Sequence, residues 1–440
     1  MSSADTADAE SALNTSLWSV LAHYADFRRL FAGNSISVLG SSVTSVALPL
    51  TAVLYLHASA SEMGLLGAAA LLPYLALSLP AGVWVDLFPY KRVLVTTDLV
   101  QVLLLGSIPV LAAAGLLRLW QLYVVGLLAG SANLLEMVAT QSFTPVLVPK
   151  RQLLPANSAL MLTNAVSGTT GTAMAGFLVA ALTAPIAIAV DAASFLLSGI
   201  CKIRIRTVQP PVRSRREGRQ RLHAEILDGL RAVFGQPLMR SLTTAATLGA
   251  LAGQMQNVIL ILFLVRHVRL PTGLVGITVA AGGLAAVGGS LIVTAVTRRV
   301  GPGRTCILGM SIQSTAGLVL AVAPRMLPAA IAVVIVAQIL RGTGPSLYGV
   351  NQQTLRQTLM PASMLARANA SWRFLVFGTQ VFGALLGGYL GSVLGLQLTL
   401  VVGSAVMFLG TSVAVLSPLR SLRKLPPAAN SEAGAVRQAA

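Results

Sequence analysis

The sequence predicts an all-α membrane protein: twelve transmembrane helices arranged as two parallel, pseudo-repeated six-helix bundles. Three observations predict it. Of the 440 residues, 55% are apolar and only 10% are charged, whereas a soluble domain carries about a quarter charged residues. Uncharged runs of ~18 or more residues recur along the whole length, each long enough to cross a bilayer core of roughly 30 Å as a helix. The second half of the chain also repeats the first at a fixed offset. Lipid cannot satisfy free backbone groups, so this much apolar chain has to be helical. The short alternating pattern of a membrane β-barrel is absent.

The first six spanning segments cover about 30–56, 62–86, 93–115, 119–143, 157–182 and 184–201. The second six cover about 238–265, 270–297, 304–323, 327–352, 367–391 and 396–418. Residues 1–201 thus form one six-helix half and 238–424 the other, with a disordered cytoplasmic tail at 425–440. The one long polar connection, 202–237, opens as a flexible basic linker with Arg204, Arg206, Arg213, Arg215 and Arg216. It then turns amphipathic: Leu222, Ile226, Leu230, Val233 and Phe234 share a helical stripe suited to the membrane surface. The first 25 residues lack the basic region and cleavage site of a signal peptide, so the first spanning helix is expected to direct insertion.

A net charge of +18 raises the question of nucleic acid, and its placement answers it. The positive residues sit in short loops on one side, with no aromatic-interleaved basic patch. With the N-terminus inside, cytoplasmic segments hold 26 of the 31 Lys and Arg, ten of them between Lys202 and Arg240. Outside loops hold Arg118, Arg266, Arg269 and Arg325, and Arg341 lies within a helix. The bias puts both termini in the cytoplasm of a multi-pass protein of a bacterial inner membrane. Cys201 and Cys306 lie in different halves and read as small packing residues.

An offset of 212 residues superposes Gln141 on Gln353, Pro149 on Pro361, Ala156-Asn157 on Ala368-Asn369, Gly171 on Gly383 and Gly176 on Gly388. It also pairs Arg28 with Arg240, Arg92 with Arg304 and Gly130 with Gly342. Six helices separate equivalent positions, so the two copies insert with the same orientation. This is the parallel repeat of carriers whose substrate site lies at the midplane between halves.

The loop Gly82-x-x-x-Asp86-Leu-Phe-Pro-Tyr-Lys91-Arg92 resembles the G-x-x-x-D-R-x-G-R-[RK] loop of the major facilitator superfamily. It departs from that motif at Leu87, Pro89 and Tyr90. Leu147-Val148-Pro149-x-x-x-Leu153 followed by Ala156-Asn157 resembles a signature of the superfamily's drug:proton antiporters related to macrolide-efflux and enterobactin-export proteins, and Asp191-Ala-Ala-Ser194-Phe195 resembles another. Gly171-Thr-Ala-Met-Ala-Gly176 is a degraded form of the antiporter G-P-x-x-G-G pattern, with Gly383, Gly387 and Gly388 in its twin. Small residues there let helices approach closely. The resemblance implies export of a lipophilic or amphiphilic small molecule (a drug, antibiotic, siderophore or secondary metabolite) in exchange for protons. Uptake of a polar nutrient by the same fold is the alternative.

A charge inside the membrane costs at least ~2.5–3.5 kcal/mol and is a functional candidate for that reason. In the superfamily fold the first, fourth, seventh and tenth helices line the cavity, which nominates Asn34, Asn133, Gln254, Asn257, Gln338 and Arg341 as the substrate lining. Glu136 is the candidate proton carrier, since a carboxyl in a low-dielectric cavity can load and release protons near neutral pH. Arg341 is a counter-charge or an anion contact. Asp98, near Lys91 and Arg92, is expected to join Asp86 and Gly82 in a cytoplasmic charge latch. Asp191 reads as a packing and hydrogen-bonding residue. No His has a metal-ligating partner at i+4, and no nucleotide-binding loop or hydrolase motif is present. The expected partners are therefore substrate, protons and lipid, without nucleic acid, metal, cofactor or enzymatic activity, and a monomer suffices for the mechanism.

Overall fold

The computed structural model describes residues 17–207, 231, 234–323, 327–360 and 362–423. The amphipathic stretch of the linker and the 425–440 tail lie outside these residues. Among the described residues, twelve long helices follow a short helical segment at Leu17–His23. They are α1 (Ala25–Leu50), α2 (Ala60–Asp86), α3 (Tyr90–Ala113), α4 (Leu119–Leu147), α5 (Leu153–Ala181) and α6 (Ala184–Ile203), then α7 (Pro237–Leu262), α8 (Thr272–Val300), α9 (Pro302–Ala321), α10 (Leu327–Leu359), α11 (Ala362–Val393) and α12 (Leu396–Leu416). Ten of them are long and apolar enough to cross a membrane; α5, dotted with Ser, Thr and Asn, and α9, short and carrying Arg304 and Gln313, fall short of that measure.

Five helices run beyond their expected C-terminal ends, α4, α6, α8, α10 and α11, and three of these extensions bear on polar residues. α4 continues to Leu147 and α10 to Leu359, so each carries polar residues out of the apolar run without breaking. α6 continues to Ile203 and takes in Lys202. That last difference matters most: Lys202 belongs to a helix and not to the basic linker.

The chain gathers into two compact units, Met1–Leu48 with Leu77–Ser214 and Pro49–Ala76 with Arg215–Ala440. The second unit thus includes residues 49–76, which a division at 201 assigns to the first half. The reason is close packing along α2. A Cβ on Gly388 of α11 would stand 2.7 Å from the Cα of Gly64 in α2. Tyr74 and Phe377 pack their rings 5.4 Å apart on the same pair of helices. In membranes such small-residue contacts supply the association energy that hydrophobic burial supplies in water.

In the first unit α3 packs on α4 and α6; in the second, α9 packs on α10 and α12, the same pairs one repeat later. The offset of 212 holds at atomic detail. Gly171 lets α5 close on Leu39 and Ser42 of α1, while its twin Gly383 lets α11 close on Leu251 and Gln254 of α7, the repeat equivalents of those two residues. Both α1 and α7 end in one π-helical turn, at Thr51–Tyr55 and Phe263–His267. Positive-φ residues follow each turn at twin positions, His57 and Arg269. Gly176 is buried in α5, and Gly387 faces the backbone of Met255.

Thr183 and Gly395 form another twin pair, preceding α6 and α12 with φ of 130° and 85°. Glycine takes such angles freely, whereas a β-branched residue there is strained by roughly 1–3 kcal/mol. Thr183→Gly is therefore expected to raise the thermal midpoint of the purified protein, and Gly395→Thr to lower it. Unfolding scans in detergent measure both; a lower midpoint for Thr183→Gly would refute the strain.

Candidate functional site

Three helices of the first unit each present two polar side chains one turn apart: Asp98 and Gln101 on α3, Asn133 and Glu136 on α4, and Ser198 and Lys202 on α6. Spacings of three and four residues put each pair on one helix face. α3 packs against both α4 and α6, so the six residues meet inside the unit. Lys202 is 0% exposed, Asp98 0% and Glu136 7%.

Lys202 bridges the two carboxylates. Its Nζ donates to Asp98 Oδ1 at 2.9 Å and to Glu136 Oε1 at 2.7 Å. Ser198 Oγ donates to Asp98 Oδ2 at 3.0 Å, and Gln101 Nε2 to Glu136 Oε2 at 3.4 Å. Gln101 also donates to Asn133 Oδ1 at 3.2 Å. Every carboxylate oxygen of the pair therefore has a donor, which low-dielectric surroundings demand of buried charges. Fully ionised, the three groups carry a net charge of −1, and uptake of one proton makes the cluster neutral.

This geometry corrects the expectation for Asp98. It pairs with Lys202 and Ser198, not with Lys91 or Arg92. Asp98 sits two turns into α3 and points to the unit's interior, which takes it out of the loop expected to form the latch. Of the remaining loop residues, Asp86 accepts a hydrogen bond from Tyr90 Oη at 2.9 Å, so the tyrosine that departs from the family motif supplies a partner. Lys91 Nζ donates to the Ile205 carbonyl at 2.7 Å, just past the end of α6. Arg92 is exposed, and a side chain at Gly82 would meet nothing within 4 Å. Asp26, which sequence reasoning passed over, holds the same stretch: it accepts from the backbone N–H of Arg206 and Thr207 at 3.1 and 2.7 Å.

Asp191 lies at the α1–α6 contact. It is 1% exposed and accepts from Ser194 Oγ at 3.0 Å, and Gly40 lets α1 close upon it.

In the second unit a cavity of about 300 Å³ is lined by Gln254, Asn257, Gln313, Arg341 and Gln380 among others. Three of the nominated cavity residues, Gln254, Asn257 and Arg341, are brought together there, with Gln313 and Gln380 as partners the sequence reading missed. Gln338 is buried and is not among the lining residues, a departure from its expected place. It lies three residues before Arg341 on α10, where its backbone meets Gly282 of α8. In the first unit, Asn133 is tied to Gln101, and Asn34 is half-buried on α1.

The chain resembles known proteins over nearly its whole length. It is 26% identical over 427 residues to the enterobactin exporter EntS of Salmonella typhimurium, covering 94% of this chain and 97% of that protein. The EntS protein of Escherichia coli gives 26% identity over 423 residues, with 93% and 96% covered. Among solved structures, a bacterial homologue of the iron transporter ferroportin superposes with a TM-score of 0.73 at 16% identity, covering 89% of this chain and 98% of the other. The nucleoside transporter NupG superposes with a TM-score of 0.69 at 13% identity, with 89% and 98% covered. The model of the Major Facilitator Superfamily matches residues 30–375. With repeat, helix count and fold in agreement, the chain belongs to the major facilitator superfamily and is a membrane transporter, not an enzyme.

Proposed function

We propose that the protein exports a lipophilic or amphiphilic small molecule by alternating access, in exchange for protons taken up by the Asp98–Lys202–Glu136 cluster. The observation that carries this reading is the lysine bridging two buried carboxylates. A wholly structural ion pair needs one carboxylate per lysine. Two leave an odd negative charge in the interior, and a proton is the cheapest counter-charge to bring there. The relatives named as enterobactin exporters support the direction and the kind of cargo. Asp86, Lys91 and Arg92 remain the proposed cytoplasmic latch, with Lys91 holding the end of α6, the helix that carries Lys202. Proton arrival at the cluster can thus be felt at the loop through one rigid helix.

Everted membrane vesicles, acidified inside and loaded with a pH-sensitive dye, test the coupling. With a panel of lipophilic cations, neutral macrolides and lipophilic anions, at least one compound should collapse the gradient with wild type. Glu136→Gln, inserted at equal level, should lose that response. A full response from the mutant would move the proton carrier away from Glu136, and Asp98→Asn would then be measured. The same vesicles should accumulate the active compound; depletion of it would favour uptake.

Stability gives an independent reading of the charges. Lys202→Met strands two carboxylates together, and breaking a buried pair in this way costs about 3–5 kcal/mol. The neutral triple variant Asp98→Asn, Glu136→Gln, Lys202→Met should recover most of that loss in thermal midpoint. If the triple variant is as unstable as Lys202→Met, the charges act chiefly through shape.

A further inference from the structure

Arg341 lies near the middle of α10, one of the twelve long helices of the described residues, and lines the amide-rich cavity. Among the described residues it makes no hydrogen bond and no ion pair. The sequence explains why no carboxylate reaches it: between Asp228 and Glu432 there is no Asp or Glu at all. Helices α7 to α12 therefore contain no negative charge of their own, while Arg341 holds a permanent positive one. Among the described residues of that unit the acidic side chain is Glu62, and it is already engaged by Ser59, whose N–H and Oγ both donate to it at 2.7 Å.

Around Arg341 stand five carboxamides: Gln256, whose Nε2 donates to the Leu400 carbonyl and Ser404 Oγ, and Gln254, Asn257, Gln313 and Gln380. Each of the last four can turn either its N–H or its carbonyl toward a ligand, whereas the guanidinium offers donors alone. An acceptor-only group suits this setting and a cation is repelled by it. The planar fork of Arg matches an oxyanion with two parallel hydrogen bonds. Met407 on the same wall provides an adaptable apolar contact for the rest of a ligand.

We infer that this cavity is an anion subsite: it binds the oxyanion head group, such as a carboxylate or sulfonate, of a substrate with an apolar body, and Arg341 selects it against neutral and cationic analogues. The inference rests on the transport reading for the word substrate, while the site itself rests on the cavity. It narrows the cargo from any lipophilic molecule to an anionic amphiphile.

A matched set of naphthalene probes tests it: naphthalene-2-sulfonate, the uncharged sulfonamide, and the 2-naphthyltrimethylammonium cation. Titration calorimetry on the purified full chain in neutral detergent gives the affinities. The sulfonate should bind about tenfold or more tighter than the sulfonamide, as loss of a charge-assisted hydrogen bond implies, and the cation should bind least. Arg341→Gln should erase the preference; Arg341→Lys, which keeps the charge and loses the fork, should keep part of it. Unfolding midpoints without probe confirm that each variant is folded. If Arg341→Gln does not fold, the wild-type ranking and Arg341→Lys decide alone. Equal binding of the three probes, cation preference, or no binding of the sulfonate overturns the inference, as does an unchanged preference in folded Arg341→Gln. The two readings fail separately. Vesicles that export neutral or cationic compounds with proton movement, from a protein that does not favour the sulfonate, refute the anion subsite and leave export standing. An Arg341-dependent sulfonate preference in a protein that moves no protons does the reverse.

Discussion

Inside a membrane protein, a charge that water cannot reach must be matched by the chain itself, and the first six-helix unit is organised around one such match. Lys202 enters the interior at the end of α6, and α3 and α4 each bring it a carboxylate. The cost of stripping water from three ionised groups is large. It is offset only because Ser198 and Gln101 fill the carboxylate oxygens that the lysine leaves open. The match also ties the three helices together, Lys202 of α6 reaching Asp98 on α3 and Glu136 on α4. Lys91 on the Ile205 carbonyl and Asp26 on Arg206 and Thr207 then secure the chain just beyond it.

The internal repeat shows that the equivalent junction in the second half is built without this device. The offset of 212 carries Asp98 to Met310, Glu136 to Tyr348 and Lys202 to Ala414. Those three twins sit in one apolar cluster with Met239, Leu242 and Leu355. The same three-helix junction can therefore be held by hydrophobic packing, as replacement of buried ion pairs by apolar groups predicts. Charges kept at one copy of a junction and absent from the other are not required for its cohesion, which is why a functional role is proposed for them. Gln101 shows how a shared position diverges: it serves the carboxylates in the first unit, and its twin Gln313 lines the cavity with Arg341 in the second.

What was legible in the sequence is what local pattern encodes. Uncharged runs mark the helices, and the offset recorded in Gly171 and Gly383 returns as the same α1–α5 and α7–α11 contact. Glu136, Asn133, Gln254, Asn257 and Arg341 stood out as polar residues in apolar helices. Lys202 did not, because a lysine at a helix end reads as one more positive-inside charge. Its partners lie 104 and 66 residues away, and no window on the sequence joins them. Proximity in sequence points Asp98 to Lys91 and Arg92, whereas packing of α3 on α6 decides its partner. The paired spacings 98/101, 133/136 and 198/202 were the available signal: three apolar helices, each with two polar residues on one face.

The charges of the two units together bear on how a cycle would be driven. Exchange of one proton inward for a lipophilic cation outward moves no net charge and draws on the pH gradient alone. Exchange of one proton inward for a monoanion outward moves two positive charges' worth toward a negative interior. At 100 mV that adds about 4.6 kcal/mol, on the order of a thousandfold in accumulation. The proposed proton uptake by the cluster and the proposed anion binding by the cavity would be the two halves of such an electrogenic exchange. Under the proposed export, the sign of the group opposite Arg341 would set its thermodynamic limit. The absence of any carboxylate from Arg231 to Ser431 leaves that sign to the substrate.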